Sequence, residues 1–298
     1  MSIFCSDMFA NIVLSGGGLA AIAYLGCLQY LQGNKEIKST LKNVLGVSSG
    51  AIFALILVLD LSYEETKNWL HGLSEIRINH IHIHSIKTLM KSYGLDEGGG
   101  IVEVVKSIFS LRNLDENITF RDLAKRFGKN LIVAAANVHT SNIEYFSIDT
   151  TPEMGVIQAI RASTAIPLLF TPVLYNENYF VDAFIYDNFP FDYFKNDQHT
   201  LGLNLVSKQT TVNSCTEFFT KMFYSVIKNH SIKKHENECI IECSSNGFNI
   251  KRMSFDIDES QFDGIVVDAY TTLSDFIANR REKIKQTFES EGYNLNLE

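Results

Sequence analysis

The chain has 298 residues, enough for one large α/β domain or two small ones with a sizeable core. Its composition, 46% apolar and 20% charged, is that of an ordinary globular protein. The formal net charge of −8 argues against nucleic-acid binding, which needs a basic surface, and no basic run predicts a polybasic membrane anchor. The five cysteines do not resemble a secreted disulfide framework, which favours a reducing compartment.

Neither a signal peptide nor a membrane-spanning segment is predicted. The N-terminus lacks a basic stretch before an apolar core. The most apolar run, 51–59, falls well short of the roughly 20 residues that cross a bilayer. We therefore expect a soluble, cytoplasmic protein, for which peripheral attachment to a membrane surface stays open.

Strand and helix patterns alternate from the start of the chain. A β-rich run over 11–15 stops at three glycines and precedes a helical pattern over 19–31. A buried-strand run over 43–47 precedes an apolar helix over 49–61. This alternation predicts an α/β fold with three layers, α/β/α, around a mostly parallel central sheet.

The rest of the chain continues this pattern after one irregular stretch. A capping box at 62–65 opens a helix through Trp69, and another helix is predicted over 119–127. Between them, 71–114 is harder to assign, and we expect a variable helical or lid-like region there. Further predicted elements are strands over 131–137 and 144–148, a helix over 152–162, strands over 179–181, 201–206 and 239–243, and a helix over 264–288. No repeat or linker interrupts the chain, so 1–298 is predicted to be one domain.

The turn Gly46-Val47-Ser48-Ser49-Gly50 carries the strongest chemical signal. It fits the Gly-x-Ser-x-Gly pattern of a nucleophile elbow, in which a serine sits in a strained turn between a strand and a helix. The small residues two positions away avoid clashes with neighbouring backbone. We predict that Ser48 is the nucleophile of an acyl-hydrolase.

Three consecutive glycines form the second candidate site. Gly16, Gly17 and Gly18 lie between a predicted strand and a predicted helix, where backbone N–H groups can converge on an anion. The segment lacks the Lys-Ser/Thr ending of a Walker loop and the spacing of a dinucleotide site. Beside a nucleophile elbow, an oxyanion hole is the favoured interpretation.

A serine nucleophile needs a base, and two kinds are available. In an α/β-hydrolase triad the base would be one of three late histidines, which have no telling context: His199, His230 and His235. Asp182, at the end of a short apolar strand, is the better candidate if its environment raises its basicity. The alternating His80, His82 and His84 could form a zinc site, but no metalloenzyme motif supports one.

Several segments together resemble the patatin-like phospholipase family. They are the glycine-rich run 16–26, the elbow 46–50, the run 160–167 with 170–173, Val181-Asp182-Ala183, and Asn188-Phe189-Pro190. The resemblance implies a Ser48–Asp182 dyad without histidine, an oxyanion hole of the Gly16, Gly17 and Gly18 amides, and no metal or cofactor. It also implies lipid substrates: phospholipids, lysophospholipids or acylglycerols.

The sequence departs from the family pattern at three alanines. Ala20 stands where the family usually has Arg or Lys, and Ala21 and Ala183 stand where it has Gly. If position 183 needs a positive φ, alanine there would be strained by roughly 1–2 kcal/mol. These departures keep a second hypothesis in view, a non-catalytic lipid- or protein-binding module on the same fold.

Overall fold

The computed structural model describes residues 9–73, 86–195, 198–207, 235–243 and 259–290. Within these ranges the strands are β1 (Asn11–Leu14), β2 (Asn43–Val47), β3 (Gly94–Asp96), β4 (Asn130–Asn137), β5 (Asn142–Phe146), β6 (Leu168–Phe170), β7 (Val173–Tyr175), β8 (Asn178–Asp182), β9 (Thr200–Ser207) and β10 (Glu238–Cys243). The α-helices are α1 (Tyr24–Gly33), α2 (Lys35–Thr40), α3 (Ser49–Val58), α4 (Tyr63–Gly72), α5 (Ile86–Ser92), α6 (Gly99–Ser110), α7 (Phe120–Phe127), α8 (Val156–Ser163) and α9 (Glu259–Ser290). Short 3-10 helices cover Gly18–Ala23, Ala183–Ile185 and Phe191–Phe194.

The central sheet is mostly parallel, as predicted. Its hydrogen-bonded path runs β10-β9-β1-β2-β4-β8-β7, and β5 also pairs with β4. All pairings from β10 to β4 are parallel, whereas β5, β7 and β8 pair in the antiparallel sense. β3 and β6 form a separate two-stranded parallel sheet.

The register of β4 brings the ends of β2 and β8 together. Ala134 pairs with Val47 of β2 and with a residue of β5, while Ala135 pairs with Asp182 of β8 and with the neighbouring residue of β5. A strand has two edges and β5 occupies one of them, so β2 and β8 share the other. The last residue of β8 therefore meets the last residue of β2, and the β7–β8 hairpin extends the sheet beyond the carboxyl end of β2.

Apolar side chains cover both faces of the sheet. One face carries the main core, in which strand residues pack against the α-helices, Leu25 of α1 and Leu55 of α3 among them. On the second face, Val13, Leu45 and Ile132 pack against Phe191 of a 3-10 helix. Helical layers on both sides of the sheet confirm the predicted three-layer architecture.

The irregular stretch after α4 contains more structure than its sequence pattern indicates. Of 71–114, the residues from 86 onward form α5, β3 and α6, and Gly99 begins α6 after Gly98 at φ +76°. The predicted helix over 19–31 is also divided, because a 3-10 helix precedes α1. No helix in the described part of the chain is both long and apolar enough to cross a membrane.

Candidate active site

Ser48 lies in a strained turn between β2 and α3. Its backbone has φ 54° and ψ −127°, a conformation that L-residues rarely adopt. Close packing holds the turn on both sides. A Cβ on Gly46 would lie 2.4 Å from the carbonyl oxygen of Gly50, and a Cβ on Gly50 would lie 2.4 Å from that of Ser15. Both positions therefore exclude any side chain, which is the steric demand of a nucleophile elbow.

The carboxyl end of α8 supports the elbow from the other side. The backbone N–H of Ser48 donates a 2.9 Å hydrogen bond to Oγ of Ser163, whose side chain is fully buried. Ser48 itself is half-buried, so part of its surface is accessible. The turn is thus fixed by a buried partner, and Ser48 is not fully enclosed.

Asp182 lies at the end of β8, directly beside the end of β2. It was predicted to end a strand of a parallel sheet, but β8 runs antiparallel to β4. The two carboxyl ends still meet, because Val47 and Asp182 pair with the consecutive residues Ala134 and Ala135 on the same edge of β4. The Asp182 N–H donates to the carbonyl oxygen of Ala165 at 3.0 Å, which fixes the strand end next to α8.

Burial changes the acidity of Asp182. Its side chain is fully buried, and this loss of solvation raises its pKa from 3.8 to about 7, against smaller lowering effects from the Ser48 side chain and the Phe184 N–H. Oδ1 accepts the Phe184 N–H at 3.1 Å, whereas Oδ2 makes no hydrogen bond of normal geometry within the described residues. The Ser48 side chain is nevertheless close enough to the carboxyl group to lower its pKa.

The glycine-rich loop packs against Ser48. A Cβ on Gly16 would lie 3.1 Å from Cβ of Ser48 and 2.5 Å from Oδ1 of Asn188. Asn188 binds Gly16 twice: its Nδ2 donates to the Gly16 carbonyl oxygen at 2.9 Å, and its own carbonyl oxygen accepts the Gly16 N–H at 3.3 Å. Asn188 thus fixes this loop beside the candidate nucleophile.

The three predicted oxyanion amides are not equivalent. The Gly16 N–H donates to a backbone carbonyl oxygen, that of Asn188, and the Gly17 N–H donates to Oγ of Ser49 at 3.1 Å. Gly18, at φ +55°, is exposed and has open space around its Cα. An incoming anion can displace the Ser49 hydroxyl from the Gly17 N–H by a rotation of that side chain. The Gly16 N–H is less available, because its partner is a backbone carbonyl oxygen.

Two of the three histidines considered for a triad, His199 and His235, lie away from Ser48. His199 precedes β9 and its carbonyl oxygen accepts the N–H of Asn11, at the amino end of β1. His235 precedes β10, at the same amino-terminal end of the parallel strands, and its ring stacks on Phe191. Ser48 follows the carboxyl end of β2, about five strand residues or roughly 16 Å away. His230, and the zinc candidates His80, His82 and His84, lie outside the described residues.

The alanine departures cause no strain at the candidate base. Ala183 opens a 3-10 helix, and it is not among the residues with positive φ. The penalty that a positive φ would cause does not arise at this position, because the chain turns into that helix directly after Asp182. Ala20 and Ala21 pack against the main core.

Within the described ranges, no three His, Cys, Asp or Glu side chains converge as a metal site requires.

Three site residues were not identified from the sequence. Ser163 accepts the Ser48 N–H, Asn188 binds Gly16, and Ser49 accepts the Gly17 N–H. Asn188 and Ser163 lie in segments that carry the family resemblance, which was a usable signal. Nothing in the sequence marks the hydrogen bond of Ser49.

Comparisons with known proteins find similar sequences and a similar fold. The model of the family described as patatin-like phospholipase matches residues 12–195. A probable lipid hydrolase of Invertebrate iridescent virus 6, 463L, is 30% identical over 186 residues, which cover 62% of this chain and 62% of that protein. The chain thus spans less than two thirds of that relative.

Two further proteins are similar over more of the chain. The uncharacterized protein R571 of Acanthamoeba polyphaga mimivirus is 24% identical over 258 residues, covering 85% of this chain and 86% of that protein. The crystal structure of VipD from Legionella pneumophila superposes with a TM-score of 0.56 at 18% identity, covering 91% of this chain and 67% of VipD. At this identity the likeness to VipD supports the fold alone.

Proposed function

Because the chain belongs to the patatin-like phospholipase family, we propose that it is a lipid acyl-hydrolase with a Ser48–Asp182 dyad. The observation that carries the proposal is the meeting of the elbow serine with a fully buried carboxyl group whose pKa is about 7. A carboxylate of ordinary acidity is a weak base, whereas a pKa near 7 suits general base catalysis at neutral pH.

The first half of the reaction forms an acyl-enzyme. Ser48 Oγ attacks the ester carbonyl carbon and its proton passes to the Asp182 carboxylate. The carbonyl oxygen becomes an oxyanion, which collapses as the C–O bond to the alcohol breaks. Asp182 returns the proton to the departing alkoxide, so the alcohol leaves neutral and the acyl group stays on Ser48.

The second half releases the acid. Asp182 takes a proton from a water molecule, which attacks the acyl carbon. The bond to Ser48 Oγ breaks, the serine regains the proton, and the carboxylic acid departs. Both halves use the same base, so no histidine is required.

The oxyanion would be held by the glycine-rich loop. Gly18 and Gly17 are the better donors of the three predicted, because the Gly16 N–H is bound to the backbone of Asn188. The N-terminus of α3, which begins directly after Ser48, adds favourable electrostatic potential. The expected substrates are carboxylic esters of phospholipids, lysophospholipids or acylglycerols.

The direct test compares Ser48→Ala and Asp182→Asn with the wild type on a soluble p-nitrophenyl ester and on a phospholipid. We expect each variant to lose about 10³-fold or more in kcat/KM, since removing a member of a catalytic unit costs this much. A fluorophosphonate probe should label wild type but not Ser48→Ala.

Matched controls are Ser110→Ala and Asp268→Asn, which change exposed residues of α6 and α9. Both should retain wild-type activity. Full hydrolysis by both site variants would refute the proposal, and a folded wild type that neither hydrolyses nor labels would indicate a binding module.

A further inference from the structure

The described residues expose eleven large apolar side chains, and five of them lie close together beside the candidate site. We call these five the apolar rim: Met90, Tyr93, Val138, Leu168 and Leu174. Their exposed fractions run from 38% for Leu168 to 77% for Met90. Single exposed apolar residues are normal on a protein surface, but a group of neighbours marks an interaction site.

Tyr179 and the two-stranded sheet connect the members of the rim. Leu168 pairs with Gly94, the residue after Tyr93. The Tyr93 ring contacts the Tyr179 ring at 5.8 Å, and Tyr179 pairs across the β7–β8 hairpin with Leu174.

The remaining two members lie next to these. The Val138 N–H donates to the Tyr179 carbonyl oxygen at 2.9 Å. Met90 lies one turn before Tyr93, whose N–H still donates to the Leu89 carbonyl oxygen. The rim is therefore one continuous surface built from α5, β3, β6 and the β7–β8 hairpin.

The rim lies at the same end of the sheet as Ser48 and Asp182. β8 runs from its hairpin to Asp182, so Tyr179 and its partner Leu174 lie three strand residues from Asp182. At 3.3–3.4 Å per residue this is about 10 Å along the strand from the candidate base. A bilayer that contacts the rim would therefore lie at the end of the sheet that carries the dyad.

Two rim residues have strained backbone conformations that are not explained by burial of their side chains. Tyr93 has φ 62° and Leu168 has φ 69°, values that are unfavourable for a non-glycine residue. Both side chains are exposed, so the burial of apolar surface does not offset the unfavourable backbone conformation. Strain that presents apolar side chains to solvent is a sign of function.

We propose that the apolar rim docks the protein on the surface of a phospholipid bilayer, an inference that rests on the proposed lipid hydrolysis. Tyrosine and aliphatic side chains are suited to the boundary between head groups and acyl chains, where inserted residues reach about 5–10 Å deep. That depth would bring the dyad close to the ester bonds.

The charges near the rim argue for apolar rather than electrostatic docking. Its exposed charged neighbours include one cation, Lys91, and two anions, Glu97 and Glu177. The chain has a net charge of −8, so anionic lipid should repel it overall. We therefore expect binding to uncharged phosphatidylcholine vesicles that changes little between about 0.05 and 0.5 M salt.

Sedimentation with phosphatidylcholine vesicles tests the docking surface. Met90→Ser and Leu174→Ser should each weaken vesicle binding about tenfold, the cost of losing one inserted apolar side chain. Val267→Ser is the matched control, because Val267 is 60% exposed on α9 and lies outside the rim. It should bind as the wild type does, and the thermal unfolding midpoints of all variants verify folding.

The same experiment separates docking from catalysis. Ser48→Ala should bind vesicles as the wild type does and hydrolyse nothing. The double variant Met90→Ser with Leu174→Ser should show an approximately hundredfold lower ratio of vesicle to soluble-ester hydrolysis, because the two losses of binding free energy add. Vesicle binding without any soluble-ester hydrolysis would refute the proposed function and leave docking supported.

Three outcomes would overturn the docking proposal. The first is a wild type that hydrolyses the soluble ester but does not sediment with vesicles. Binding that requires anionic lipid and disappears in salt would show electrostatic attachment elsewhere. A dimer in light scattering that the rim variants convert to monomer would show that the rim binds a second copy.

Discussion

The elbow and the apolar rim both contain residues at positive φ, but the elbow is closely packed and the rim is exposed to solvent. Ser48 at φ 54° is enclosed by Gly46, Gly50 and the buried Ser163. Leu168 at φ 69° exposes 38% of its surface. Strain at the elbow is held by close packing of the neighbouring backbone, whereas strain at the rim presents a side chain outward. Changes at the elbow should therefore affect folding and chemistry, and changes at the rim should affect neither strongly.

The largest effect is expected when packing at the elbow is broken. In Gly50→Ala the new methyl group would meet the carbonyl oxygens of Ser15 and Leu14 at 2.4 and 2.7 Å. Backbone atoms cannot move aside as a flexible side chain can, so we expect a loss of about 3 kcal/mol or more in the free energy of unfolding. Urea denaturation measures it.

Gly72→Ala provides the control for that substitution. Gly72 ends α4, and a Cβ there would meet no atom within 4 Å. Its stability should stay equal or rise by up to about 1 kcal/mol, because alanine favours helix. Equal stability of Gly50→Ala and wild type would show that the elbow is not tightly enclosed.

The next effect concerns the loop beside the elbow. Asn188→Ala removes the hydrogen bond from Nδ2 to the Gly16 carbonyl oxygen. We expect kcat/KM for a soluble ester to fall about 10–100-fold, mostly in kcat, because the loop positions the oxyanion donors. Asn142→Ala, which removes a similar bond at an exposed turn, should change nothing. An unchanged kcat in Asn188→Ala would contradict a positioning role.

Asp182 should make activity rise and stability fall as the pH increases. Its carboxylate form is the base, so kcat/KM should fall tenfold per pH unit below a pKa of about 7 and level off above it. The folded protein keeps the Asp182 proton up to that pKa, whereas the unfolded chain releases it near 3.8. Asp182 therefore lowers stability progressively as pH rises from about 4 to about 7.

The variant Asp182→Asn isolates this stability effect. It keeps a buried polar side chain that cannot ionise. We expect it to match the wild type near pH 4 and to unfold at a higher temperature than the wild type near pH 8. An activity profile that stays flat between pH 5 and pH 8 would contradict Asp182 as the base.

The sequence predicts the parallel part of the fold better than its antiparallel part. Four strands were predicted correctly because each is a continuous buried run: 11–15, 43–47, 131–137 and 201–206. The antiparallel direction of β8 was not predicted, since a single strand carries no sign of its partner. β3 was missed because its three residues pair with β6, more than seventy positions away.

The site shows the same division between local and long-range information. The strained turn at Ser48 is encoded by the glycines within the turn itself, so the pattern predicts it. The hydrogen bonds of Gly16 and Gly17 depend on Asn188 and Ser49, which the fold brings together from distant parts of the chain. Sequence spacing cannot show which of the three amides is already bound.

The smallest effect is expected at the rim and should have the opposite sign to that at Gly50. Leu168→Asn replaces a leucine at φ 69° by a residue that tolerates this conformation. We expect the free energy of unfolding to rise by up to about 1 kcal/mol, because strain is relieved and little buried surface is lost. Urea denaturation measures the change, with Leu169→Asn as the contrast, since Leu169 is 9% exposed and should lose stability. If Leu168→Asn lost as much stability as Leu169→Asn, the rim would be part of the folded core, and the contrast with the elbow would fail.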